Sequence, residues 1–134
     1  MNTTYFLNCA AGNIFKTKTS PALPNEFYLG LSTTAPNAGG TGFSEPDSSA
    51  GYSRVKLDNL SAPENGVVSN STDINFPEST ASWGTVSYFV IFDAKNGGNL
   101  LMYGALNTAR SVEPETVMTI KSGYLKLSVQ NPAA

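Results

Sequence analysis

Hydrophobic positions recur at two different periods along this chain. Between Asn2 and Phe15, the residues Tyr5, Phe6, Cys9, Ala10 and Ile14 are spaced by mixed steps of up to four. That spacing favours a short helix closing near Gly12 and Asn13, able to cover one face of a sheet. Residues 16–25 carry Pro21 and Pro24 and read as a linker that no helix crosses. Beyond it the apolar positions follow the strand period, in short runs bounded by turn residues at 26–32, 52–58, 66–70, 73–76, 84–93, 99–107, 116–120 and 124–129. Seven or eight such strands predict an antiparallel β-sandwich, with residues 1–134 as a single domain: a helical segment at 1–15, a linker at 16–25 and strands over 26–129.

Two runs stand apart from the rest. In the last one, Leu125, Leu127 and Val129 alternate with Tyr124, Lys126 and Ser128, the pattern of a half-buried strand. From Trp83 to Leu106 the chain reads WGTVSYFVIFDAKNGGNLLMYGAL, where Val86, Tyr88, Val90 and Phe92 alternate with Phe89 and Ile91. A strand apolar on both faces needs cover on both sides, so this segment predicts a central strand or a subunit contact. The intervening Asp93-Ala94-Lys95-Asn96-Gly97-Gly98 contains residues that tolerate positive φ and marks the run as a hairpin. Residues 33–51 show no periodicity and are rich in Pro, Gly, Ser and Asp, a long loop of the kind that is usually functional or mobile.

Composition narrows the function classes. Charged residues are 13% of the 134, about half the usual quarter, as in turn-rich β-proteins. Net charge is -2, and the few basic residues are scattered, so neither nucleic acid nor an anionic membrane is an expected partner. The longest apolar run, 88–92, is far shorter than the roughly twenty residues of a membrane span, and the N-terminus has no secretory-signal pattern. A single cysteine, Cys9, excludes an internal disulfide and reads as a small buried apolar residue.

Catalytic chemistry finds little support. With no histidine, the Ser-His-Asp and Cys-His mechanisms and nearly all zinc sites fall away. Most carboxylates, Glu45 and Asp47 among them, fall in turns and read as surface groups rather than as a glycosidase pair. Asp47 with Ser48 and Ser49 lacks a calcium-loop spacing, and Gly39-Gly40-Thr41-Gly42 lacks the Lys and the helix of a P-loop. No cofactor or metal is expected. The remaining candidates are aromatic: Trp83, Tyr88 and Tyr103 suit either a core or oligomer interface, or a platform for sugar rings.

The order of FYLGLSTTAPN, the Gly- and Ser-rich loop, GYSRVKL, INFPESTASWGTVSYFVIFDAKNGGNLLMYGAL and YLKLSV resembles a family of small tailed-bacteriophage and prophage proteins, commonly labelled phage tail fibre or virion structural proteins. The resemblance runs over nearly the whole chain. It implies a non-enzymatic virion component, associated with the tail or fibre or decorating the capsid. Such a component would be made and assembled in the bacterial host cytoplasm, bound to other virion proteins and to copies of itself, a trimer being the first expectation. It also leaves open a module that recognises host-surface carbohydrate through the 33–51 loop and exposed aromatics. The family brings no catalytic residues to transfer.

Overall fold

The computed structural model describes residues 1–16 and 23–128; the middle of the expected linker, with Pro21, and the final strand position, Val129, lie outside the described residues. The chain is mainly β. Among the described residues one α-helix, α1 (Thr4–Ile14), precedes eight strands: β1 (Tyr28–Ser32), β2 (Val55–Lys56), β3 (Val67–Ser69), β4 (Ile74–Asn75), β5 (Gly84–Phe92), β6 (Leu100–Val112), β7 (Thr119–Ile120) and β8 (Lys126–Ser128). Each falls within or over one of the eight runs read from the sequence.

All strand pairs are antiparallel. Four strands form a sheet in the order β2-β1-β5-β6, and two ribbons, β3-β8 and β4-β7, supply the second layer. The main core lies between them: Leu29, Leu31, Ile91 and Met102 from the large sheet meet Ile120, Leu125 and Phe76 from the ribbon side. The second layer of the sandwich is thus two short ribbons rather than one continuous sheet.

β5 is central, flanked by β1 and β6, as its two apolar faces require. Val90, Ile91 and Phe92 are buried, Ile91 toward the main core and Val90 and Phe92 in a separate cluster on the opposite, outer face. Strict alternation would place Val86 with Val90, yet Val86 packs into the main core. The cause is a register irregularity: Val86 pairs with Arg110 and Tyr88 with Ala105, so one residue on β5 faces four on β6. Such a bulge re-aims the side chains beyond it. It also carries β6 past the expected end at residue 107, because Gly84 and Thr85 pair with Val112 and Ser111.

α1 begins at Thr3, whose hydroxyl accepts from the Phe6 N–H at 3.2 Å and donates to the Leu100 carbonyl at 2.7 Å. One side chain therefore caps the helix and fixes it to β6. Phe6, Cys9, Ala10 and Gly12 form the buried stripe, so Cys9 sits where the sequence placed it. Tyr5 and Ile14 do not join that stripe: Ile14 is 67% exposed and followed by an exposed Phe15. Just ahead of the helix, Asn2 bridges Met102, and the Thr3 N–H donates to the Leu101 carbonyl at 2.9 Å, covering part of the outer edge of β6.

Candidate functional site

The outer face of the large sheet, opposite the ribbons, depends on the 33–51 loop for its cover. This loop is held along its length. The Thr33 N–H donates to the Ser44 carbonyl and the Ser44 N–H to Ser32 Oγ, both at 2.9 Å, while Asn37 closes an inner turn with Thr41. Ala38 at the tip accepts from the Thr4 N–H at 2.9 Å, so the loop also touches the start of α1. Phe43 folds down onto Phe92 edge to face, with centroids 5.2 Å apart, a favoured aromatic geometry.

The loop is clamped by a polar cluster centred on Arg54. Its guanidinium forks onto Glu45, Nη2 to Oε1 at 2.6 Å and Nε to Oε2 at 3.0 Å. Nη1 donates to the carbonyls of Ala94 and Gly97, in the turn of the β5-β6 hairpin, at 2.8 and 2.7 Å. Its flat face lies over the Phe92 ring, 3.5 Å from the centroid. The side chains of Arg54 and Glu45 are only 7% and 16% exposed. A planar five-donor group is suited to this position, since it satisfies a carboxylate and two carbonyls while stacking on a ring.

Tyr52 completes the cluster. Its hydroxyl donates to Glu45 Oε2 and accepts from the Leu31 N–H at 3.0 Å, occupying the edge of β1 where β2 no longer pairs. Burial, and next the bond to Glu45, push its phenol well above the ordinary tyrosine range. Its ring meets Trp83 edge to face at 5.3 Å, and Phe76 closes the trio. Gly30 lies beneath: a Cβ there would come within 2.5 Å of the Tyr52 hydroxyl oxygen and 3.1 Å of Val90.

Reading Glu45 as a surface turn carboxylate is therefore corrected. It is half-buried, and the positive charge that offsets it comes from a residue nine positions away, across a loop whose path the sequence does not reveal. Arg54 had no distinguishing signal beyond being one of few cations in a chain with little charge.

The three candidate aromatics occupy different places. Trp83 is 4% exposed in the main core, its Nε1 donating to the Ala50 carbonyl at 2.9 Å. Tyr88 and Tyr103 are half-buried on the outer face of the sheet, Tyr103 beside Val90 and Phe92. They do not form one platform with Trp83. Where the loop meets the hairpin tip, an open cleft of about 430 Å³ is bordered by Asp47, Ser48, Ser53, Lys95 and Asn96, with Tyr52 and Arg54 at its base. Its walls are tied to one another through Arg54.

Among the described residues no group of three or more His, Cys, Asp or Glu is placed to hold a metal ion, and no helix is long and apolar enough to cross a membrane. Compared with known families, residues 2–128 match Gp80, described as podophage GP4 fiber I protein gp80. The chain belongs to this fibre family. The match spans α1, all eight described strands and the clamped loop. The chain is a tail fibre-type phage virion protein and a structural component of the particle. Among curated proteins nothing matches.

Proposed function

We propose that the protein is a non-enzymatic, tail-associated fibre subunit that works as a homo-oligomer within a tailed-phage virion. The observation that carries this reading is the fibre-family match over residues 2–128. The geometry supports it. Among the described residues, the ion pair most shielded from solvent, Arg54 with Glu45, holds a loop against a sheet, a structural use of buried charge. Fibre membership favours the tail over capsid decoration. Assembly takes place in the host cytoplasm alongside the other virion proteins.

The experiment is quantitative mass spectrometry of gradient-purified particles, combined with light scattering of the isolated protein. A fixed copy number per particle and a discrete oligomer in solution support the proposal. Absence from washed particles would remove it.

A second reading, recognition of host-surface carbohydrate, is favoured by the cleft at the hairpin tip. Hydroxyls of Ser48 and Ser53, the Lys95 ammonium and the Asn96 amide border a preorganised floor. Mixed donors and acceptors with little net charge suit neutral sugar hydroxyls. A glycan array probed with the oligomer tests it. Binding that disappears in Asn96→Ala supports this reading, and an array without signal removes it.

A further inference from the structure

The large sheet has two edges of opposite electrostatic character. Along β6 the N-terminal segment covers residues 100–103, and from Gly104 to Ser111 no other strand lies beside its outer edge among the described residues. Next to that bare edge runs an apolar groove of about 410 Å³, formed with β7 and the turn after it. Phe89, Leu106 and Met118 line it, and Tyr124, 71% exposed, stands at its rim. The charged residues lining it are Arg110 and Lys121, with no carboxylate.

At the opposite edge, a smaller groove of about 150 Å³ runs between β2 and β4. Asp58 and Asp73 line it, together with Lys56. Lys56 is already paired, 3.1 Å from Glu26 and 3.7 Å from Asp58, so the edge carries three carboxylates against one ammonium.

We infer that the β6 edge and its groove receive the acidic β2 edge of a second copy of this chain, an inference that rests on the homo-oligomer reading above. Three features argue for this occupant. An unpaired strand edge offers a row of N–H and C=O groups that an extended segment satisfies. The charges match, Arg110 and Lys121 facing Asp58 and Glu26. The strand directions also match: in the order β2-β1-β5-β6, with every neighbour antiparallel, β2 runs opposite to β6. A neighbouring copy's β2 laid beside β6 therefore continues the antiparallel sheet across the contact. Joining two different edges makes the contact heterologous, so repeated copies close into a ring or extend as a filament.

The test uses light scattering of the full chain across a wide concentration range. Wild type is compared with Arg110→Glu/Lys121→Glu and with Glu26→Lys/Asp58→Lys; thermal melts check that both stay folded. Each reversal places like charges opposite one another and is expected to weaken association on the order of a hundredfold or more, leaving monomers. Mixing the two variants restores opposite charges at both kinds of contact, the native pairing and its charge-swapped counterpart, and is expected to recover assemblies larger than the monomer in which the two variants alternate. A folded reversal variant that keeps the wild-type mass, or a mixture that stays monomeric, overturns the edge assignment while the oligomer reading stands. Wild type that is monomeric throughout overturns both.

Discussion

Removing Arg54 should loosen the 33–51 loop and the hairpin tip together. In Arg54→Ala the Glu45 carboxylate keeps only the Tyr52 hydroxyl, the Ala94 and Gly97 carbonyls lose their donor, and the Phe92 ring keeps Phe43 but loses the guanidinium stacked on it. Breaking a buried ion pair by deleting one partner costs about 3 to 5 kcal/mol. Gly97 is exposed and can take water instead, which places the expectation near the lower half of that span, about 3 to 4 kcal/mol. A domain of 134 residues has roughly 7 to 20 kcal/mol in total, so the variant folds with a much reduced margin. Urea unfolding of wild type, Arg54→Ala, Glu45→Ala and the double variant gives the coupling between the pair. About 2 kcal/mol or more is expected, within the range for residues sharing one network. Arg54→Lys keeps the charge but neither the fork nor the stack, and should recover less than half of the loss. A loss below about 1 kcal/mol for Arg54→Ala, the level of an exposed pair, would refute the clamp.

Three further outcomes follow from the same geometry. Phe92→Ala should cost about 3 to 5 kcal/mol, whereas the half-buried Phe89 at the groove should cost clearly less; equal losses in denaturant titrations would contradict the placement of the outer-face cluster. Tyr52 has a phenol pKa raised above its ordinary 10.0, so the stability it adds is fully present below pH 10 and is lost as pH climbs toward its folded value; melts at rising alkaline pH should show this decline, shallower in Tyr52→Phe. Gly30→Ala drives a methyl into the Tyr52 hydroxyl and Val90, for an expected loss of about 1 to 3 kcal/mol; an unchanged melting temperature would show that the Tyr52 ring is free to move.

Local alternation and turn residues made the eight strands and the hairpin legible, because those signals act over a few residues. The double-faced run around Val90 pointed to a central strand or a subunit contact, and β5 is the central strand. The limits were equally physical. The β5-β6 bulge moves Val86 to the main core, and a bulge leaves no mark on the hydrophobic pattern. Residues 107–111 of β6 are exposed and lack an apolar alternation, so the strand's second half was invisible. Glu45 and Arg54 meet only because the loop folds back, a tertiary event that spacing does not encode. Among the aromatics, Trp83, Tyr88 and Tyr103 were identifiable as large apolar groups, but which face each occupies depended on packing.

The central claim, a fibre subunit of the virion, is tested most directly by immunogold labelling of intact particles with an antibody against this chain, viewed by electron microscopy. The account predicts gold confined to the tail, in repeated copies on every particle. Gold spread over the head, or particles left unlabelled by an antibody that captures the free protein, would contradict it.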